Sequence, residues 1–426
     1  MERMTQRDKR GRMRGRSKGA RVFAVEMLRL LAIVGIAIFH TFLPAFENVL
    51  GYGPWPVDPA VPISAVTGSL WAVWLVMLIK FVGAWGNHIF FMISGYFLIP
   101  RMMRDSHGAG YWRRQGGATA RRVAQVLATV AFYTVIMLAV DRFVTPVASD
   151  GWKQWFLLGL EFIWIYALVV ALAPAISWVF DRMMRWHVGF AVVAVIVVVA
   201  LTYALNTYVA FTSTGSFSLL DWRKWVGALS YAVSFVLAGL IGCAVRGFRE
   251  RAGFAKVGQA PLWMKRSMWT WTLAVMFVAL AAFVLWAVAH GDYPLLYRLS
   301  FKSTSVCSFL LAVCSLMVAV TGRPISPSHA APGRLRPQTA VEALASGILG
   351  FYVVQSLAGD VWKPLCERAM APALAHAAAA AEPDRVGWLV AWFAIGIAFS
   401  AAFVIVVCIC DRFARQPLLR ALKLAR

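Results

Sequence analysis

Ten apolar stretches, each long enough to cross a membrane as a helix, dominate this chain of 426 residues. A spanning helix needs about 20 mostly apolar residues, and it satisfies its own backbone hydrogen bonds inside the lipid. With 61% hydrophobic residues and a mean hydropathy of +0.69, the chain is far more apolar than a soluble domain. The sequence therefore predicts an all-α, polytopic membrane bundle. The predicted spans are 22–44, 67–100, 119–140, 154–179, 188–211, 226–245, 268–290, 303–321, 341–359 and 387–411.

The second stretch is too long for one upright helix and too short for two. We interpret it as an interfacial helix at 71–79 followed by a crossing at about 82–100. Residues 45–66 are predicted to form an external loop, and the alanine-rich segment 371–381 part of the last external loop. The predicted domains are a basic tail at 1–21, a membrane domain at 22–411 and a basic C-terminal tail at 412–426.

The positive charge of the chain is distributed unevenly between the two sets of loops. With an internal N-terminus, 31 lysines and arginines lie in cytoplasmic segments and 9 in external ones. By the positive-inside rule this predicts that both termini are cytoplasmic. The orientation of the chain in the lipid membrane explains the net charge of +23. No nucleic acid partner is therefore predicted. The six cysteines follow no metal or disulfide spacing, so no metal site and no permanently bound cofactor are predicted.

Ionisable residues inside the first span are the strongest candidates for function, because charge is costly in lipid. Arg29 and His40 are eleven positions apart, which is three helical turns and about 20°, so they share a face at a separation of roughly 16 Å. Glu26, three residues before Arg29, can pair with it. Taken singly, Arg29 could be a snorkelling cation and His40 an interhelical hydrogen-bonding residue. The shared face favours a protein-lined cavity.

A second motif follows on the next span, with the sequence Phe-Phe-Met-Ile-Ser-Gly-Tyr at 90–96. Together with Glu26, Arg29 and His40, it resembles the acyltransferase-3 family, bacterial integral-membrane enzymes that acylate sugars of surface polysaccharides and related acceptors. The resemblance implies transfer of an acyl group, with acetyl expected, from cytosolic acyl-CoA to a hydroxyl of a cell-surface glycan or lipid-linked sugar. It also implies a place in the bacterial cytoplasmic membrane. His40 would act as base or acyl relay, and Arg29 and Glu26 would assist it.

Arginines at the cytoplasmic end of the second and third spans are expected to hold the phosphates of the acyl-CoA co-substrate. Members of the family usually have a basic R-x-x-R pair running into the third span, often followed by proline. Here Gln125 stands at the second basic position, and Thr129 stands where proline is expected. The alternative is that the arginines serve topology alone. The candidate donor-binding residues are Arg101, Arg104, Arg121 and Arg122.

Four further residues are candidates for the substrate cavity. His88 and Ser94 lie in and beside the Phe-Phe motif, and Tyr352 with Gln355 resembles a late Tyr-x-x-His of the family with glutamine in place of histidine. A structural hydrogen bond for His88 and close helix packing at Ser94 and Gly95 are the alternatives.

Two other classes of function stay open at this point. One is a transporter or flippase of a glycan or lipid precursor, against which the sequence shows no repeated half and no pair of interrupted helices. The other is an inactive relative that serves as a scaffold. The acceptor, the acyl chain and the oligomeric state do not follow from the sequence.

Overall fold

The computed structural model describes residues 23–50, 63–147, 151–212, 222–252, 261–300, 305–321 and 337–424. The predicted tail 1–21 and residues 51–62 of the predicted external loop lie outside the described residues, whereas residues 45–50 and 64–66 of that loop are helical instead. Within the described residues every regular element is a helix. The first eight are α1 (Phe23–Leu50), α2 (Ser64–Thr67), α3 (Leu70–Val82), α4 (Trp85–Asp105), α5 (Tyr111–Phe143), α6 (Glu161–Trp186), α7 (Val188–Thr212) and α8 (Trp222–Ala252). The others are α9 (Arg266–Ala289), α10 (Tyr293–Ser300), α11 (Val306–Thr321), α12 (Pro337–Ala345), α13 (Ile348–Leu357), α14 (Gly359–Ala379), α15 (Asp384–Phe413) and α16 (Arg415–Ala421).

Eight helical stretches in the described part of the chain are long and apolar enough to cross a membrane. Two shorter apolar helices, Val306–Thr321 and Ile348–Leu357, accompany them. Each of these ten segments overlaps one of the ten predicted spans, so the polytopic helical bundle is confirmed. The side of the membrane on which the termini lie stays a prediction.

The two helices that carry the motifs run antiparallel in contact with each other. Gly83, just before α4, faces the Phe39 ring of α1, and Gly86 approaches the backbone of α1 so closely that a Cβ there would overlap the carbonyl oxygen of Ala32. Further along α4, the Phe97 ring lies beneath the guanidinium of Arg29. The C-terminal end of α4 therefore lies at the same end of the bundle as the start of α1.

The Ser-Gly step of the second motif allows a close helix crossing, as the sequence predicts. A Cβ at Gly95 would overlap the carbonyl oxygen of Phe235, so only glycine lets α4 approach α8 this closely. Among the described helices, α4 and α8 share the most extensive contact.

The second predicted stretch is divided into two helices, and the interfacial position of the first stays a prediction. Residues 71–79 belong to α3, whose buried side chains Val73, Val76 and Met77 lie in the main core. Helix α3 packs on α1 and α9 inside the bundle, because its apolar residues cover more than one face. The path breaks at Gly83 and Ala84, and α4 continues from there.

The ninth predicted span is also wrong in detail. Residues 341–359 form no single helix: α12, α13 and α14 follow one another with breaks at Ser346–Gly347 and at Ala358. The alanine-rich segment predicted as a loop is helical to Ala379, since alanine is the best helix former and Leu374 and Ala377 are buried. The chain thus contains two interrupted helical paths, contrary to the sequence-based expectation of none.

The C-terminal segment is folded where a basic tail is predicted. Helix α15 runs to Phe413 and α16 follows it directly. The Arg415 guanidinium is buried against the Asp411 carboxylate, with Nη2 at 2.7 Å from Oδ2, and Tyr133 donates to the same carboxylate at 2.8 Å. This buried ion pair fixes the end of the chain to α5.

Candidate functional site

A cavity of about 780 Å³ opens beside His40. It lies between the C-terminal third of α1 and one face of α14, with Ile63 and Trp392 completing the wall. The imidazole of His40 is half-buried and packs edge-on against the Phe39 ring, with centroids 4.9 Å apart. The first-span histidine therefore lines a space that is large enough for a substrate.

Thr41, the residue after His40 on α1, contacts side chains of two other helices, α14 and α15. Thr41 Oγ1 lies 2.8 Å from Ser400 Oγ on α15, and the Cys366 thiol of α14 lies 3.9 Å from the same Thr41 oxygen. Burial raises the pKa of Cys366 to about 11, although Thr41 opposes this effect. Cys366 is therefore a neutral thiol and not a competing nucleophile.

The cavity carries a set of charges that the sequence did not single out. Glu47 on α1 interacts electrostatically with Lys80 and Lys363. It could have been identified, because seven residues after His40 is two turns less about 20° and so returns to the same face. The charges on α14 could not, because their segment was predicted to be a loop. The charged lining residues are Glu47, Asp360, Lys363, Glu367 and Arg368.

The predicted ion pair of the first span is present. Arg29 Nη1 lies 2.9 Å from both carboxylate oxygens of Glu26, which is buried, while Arg29 is partly exposed. Neither residue lines the cavity beside His40. The shared face of α1 therefore carries the charged pair near one end and the cavity near the other, roughly 16 Å away along the helix axis. Their roles in catalysis stay predictions.

The candidate donor-binding arginines separate into one half-buried residue and three exposed ones. Arg122 is half-buried, and its Nη1 is buried without a hydrogen-bond partner among the described residues. Arg101 lies close enough to repel it, and the Tyr166 phenol also interacts electrostatically with it. Arg101, Arg104 and Arg121 are exposed.

The same arginines lie near the second motif. Ser94 Oγ is 3.5 Å from the Tyr166 hydroxyl. The Ser-Gly step and Arg122 therefore both interact with Tyr166. Sequence reasoning missed Tyr166 in this position, and it also missed Arg246 of α8, which lies close enough to repel Arg104. The signal for Arg246 was its place in a basic segment that is predicted to be cytoplasmic.

The two departures from the family pattern on α5 both contact the C-terminal segment. Gln125 donates from Nε2 to the carbonyl oxygen of Leu424, and Thr129 Oγ1 accepts from Arg415 Nη1 at 3.1 Å. These positions therefore anchor the end of the chain to the helix that carries Arg122.

The predicted cavity residues lie elsewhere in the bundle, within a buried aromatic cluster. His88 is fully buried, with Nδ1 2.9 Å from Ser234 Oγ and with Nε2 unpartnered in the described structure. Tyr352 stacks on Phe162 at 4.4 Å. The backbone carbonyl of Gln355, itself buried, accepts from Trp362 Nε1 at 3.0 Å.

None of His88, Ser94, Tyr352 and Gln355 lines the cavity beside His40. Their contact with substrate stays a prediction. Among the described residues no group of three or more His, Cys, Asp or Glu side chains could hold a metal ion.

Comparison with known proteins gives one match. A family model for an acyltransferase domain, that of the acyltransferase-3 family, matches residues 22–411. No curated protein and no solved structure matches the chain.

Proposed function

The chain belongs to the acyltransferase-3 family of membrane acyltransferases, and from this membership we propose that it transfers an acyl group from cytosolic acyl-CoA to a hydroxyl outside. The acceptor is a cell-surface glycan or a lipid-linked sugar, and acetyl is the expected group. The enzyme acts in the bacterial cytoplasmic membrane. The observation that carries the proposal is the position of His40 on a large cavity, at the opposite end of one helix face from the Glu26–Arg29 pair.

The donor side of the proposal rests on Arg122. A buried guanidinium nitrogen without a partner is rare, because leaving it unpaired costs free energy. A phosphate oxygen of CoA would supply the missing acceptor in a charge-assisted hydrogen bond. Arg101 and Arg104 add positive charge at the same end of α4, and Arg29 lies nearer the reacting end.

The acceptor side rests on His40. In the general-base route, a nitrogen of the neutral imidazole removes the proton of the acceptor hydroxyl while that oxygen attacks the thioester carbonyl carbon. The carbon–sulfur bond then breaks, and the imidazolium gives the proton to the CoA thiolate. In the relay route, the imidazole nitrogen attacks the thioester carbonyl carbon, the carbon–sulfur bond breaks, and CoA leaves as the thiolate. The acceptor hydroxyl then attacks the acyl carbon, the carbon–nitrogen bond breaks, and the hydroxyl proton passes to the CoA thiolate.

A second candidate function is movement of a glycan or lipid precursor across the membrane. The interrupted paths α3–α4 and α12–α14 favour it, since broken helices near the middle of a bundle are typical of transporters. In an acyltransferase the same breaks would widen the bundle for the donor.

The test is incubation of the purified protein in lipid nanodiscs with radiolabelled acetyl-CoA, with and without cell-envelope glycan. We expect label in the glycan that is lost on mild alkaline hydrolysis of esters. Absence of acyl transfer, together with movement of labelled glycan precursor across proteoliposome membranes, would replace the acyltransferase with the transporter.

A further inference from the structure

The wall of the His40 cavity is divided along α14 into a charged part and an apolar part. From 360 to 368 the helix presents Asp360, Lys363, Glu367 and Arg368. From 370 onward every lining residue of α14 is apolar, including Met370, Leu374 and Ala375. The division is ordered along the helix axis, so the two parts lie one above the other.

The walls opposite α14 are less sharply divided. Glu47 of α1 interacts electrostatically with Lys363, which extends the charged part across the cavity. Leu43, Pro44 and Ala45 line the cavity from the same helix. Ile63 and Trp392 add further apolar surface, and Trp392 packs against Phe42 with ring centroids 5.0 Å apart. The division is therefore a property of α14, to which Glu47 adds a charge and the other walls add mostly apolar surface.

His40 lies beside the boundary between the two parts. Its neighbour Thr41 contacts Cys366, which precedes Glu367 on α14 and whose sulfur lies 3.5 Å from the sulfur of Met370, the first residue of the apolar part. A hydroxyl placed at His40 would thus have polar surroundings on one side and apolar surroundings on the other.

We infer that the acceptor is amphiphilic: a sugar hydroxyl that is carried next to an apolar chain, as in a lipid-linked sugar. This inference rests on the proposed function and narrows its acceptor. The charged part, formed by Glu47, Lys363 and Glu367, would bind sugar hydroxyls by charge-assisted hydrogen bonds. The apolar part, formed by Leu374, Ala375 and Ile63, would bury the first methylene groups of the chain. Charges of both signs line the polar part, which suits hydroxyl groups better than a strongly anionic polymer.

The test compares pairs of acceptors that share one sugar and differ in the aglycone. Methyl and octyl glycosides of several hexoses and N-acetylhexosamines are offered below their micelle concentrations to the protein in nanodiscs, with radiolabelled acetyl-CoA as donor. Burial of two methylene groups is sufficient for about a tenfold gain in affinity, so we expect KM for the octyl glycoside to be at least about tenfold lower.

Two variants separate binding in the cavity from simple partitioning into lipid. Ala375→Asp places a charge in the apolar part, and we expect it to abolish most of the preference for the octyl chain. Ala369→Asp is the matched control, because Ala369 is an exposed alanine of the same helix that does not line the cavity. Lys363→Gln should raise KM for both glycosides alike.

The outcomes distinguish this inference from the proposed function. Equal KM values for methyl and octyl glycosides, or equal preference in Ala375→Asp and Ala369→Asp, with wild-type transfer to cell-envelope glycan intact, would overturn only the amphiphilic acceptor. Absence of transfer to any acceptor, glycan included, would overturn the proposed function and the inference with it.

Discussion

The guanidinium of Arg29 lies 6.0 Å from the centre of the Phe97 ring and pairs with Glu26 through one nitrogen. This contact joins the first motif helix to the second, at the end of the bundle where the arginines of α4 and α5 lie. From this arrangement we propose that Arg29 is a positioning residue, which connects the donor end with the helix that carries His40.

Arg29→Lys should therefore impair the enzyme although the charge is kept. Lysine lacks the planar guanidinium that lies over the Phe97 ring while its Nη1 contacts both Glu26 oxygens, and a hydrogen bond to a charged group contributes about 1.5–3 kcal/mol. We expect kcat to fall about tenfold, measured by acetyl transfer at matched expression. Arg142→Lys is the control, because Arg142 is an exposed arginine at the C-terminal end of α5. A kcat for Arg29→Lys within twofold of wild type would reduce Arg29 to an orientation signal.

Removal of the charge at Arg122 and at Arg104 should change the KM for the acyl-CoA donor by unequal amounts. Arg122 is half-buried with an unpaired nitrogen, whereas Arg104 is exposed and screened by water. We expect Arg122→Gln to raise KM for acetyl-CoA about tenfold or more, with KM for the acceptor unchanged, and Arg104→Gln to change it less than about threefold. If both variants and the double variant keep the wild-type KM for acetyl-CoA, these arginines serve topology only.

The buried pair of Asp411 and Arg415 should control stability. Removing one member of a buried ion pair leaves an uncompensated charge and typically costs about 3–5 kcal/mol. We expect Asp411→Leu to lower the unfolding temperature clearly, and Asp411→Leu with Arg415→Met to recover part of the loss. Arg412→Met, at an exposed neighbouring position, should be nearly neutral. Thermal unfolding in one detergent gives the comparison, and equal unfolding temperatures for Asp411→Leu and Arg412→Met would contradict it.

The membrane orientation can be tested on positions outside the described residues. In a cysteine-free background, a cysteine placed at Asp58 should react with a membrane-impermeant maleimide in intact cells, because loop 45–66 carries no lysine or arginine. A cysteine at Ser326, in a basic cytoplasmic segment, should react only after the membrane is opened. The reverse pattern would invert the topology.

Much of the bundle could be predicted because the signals are local. Span length, hydropathy and the spacing of Glu26, Arg29 and His40 depend only on the geometry of single helices, and the structure contains the helices and the Glu26–Arg29 pair. The close approach of α4 to another helix at Gly95 could equally be predicted from the small size of glycine.

The rest depended on tertiary contacts that no single segment reveals. Gly83 lies against the Phe39 ring where the helical path breaks after α3, and α14 packs on α15 with Leu374 and Ala377 buried. Since that segment was predicted to be a loop, the charges of Lys363 and Glu367 could not be assigned to the cavity. Gln125 and Thr129 counted against a donor site, whereas they bond to Leu424 and Arg415 from the end of the chain.

The most direct test of the account is acyl transfer by His40→Ala, with insertion and expression matched to wild type. General-base catalysis typically contributes about 10²–10⁴-fold, so we predict a fall in kcat of at least about 100-fold. His290→Ala, at an exposed histidine that does not line the cavity, should keep wild-type turnover. Near-normal acyl transfer by His40→Ala would contradict the account and leave His40 as an ordinary residue of a helix packing surface.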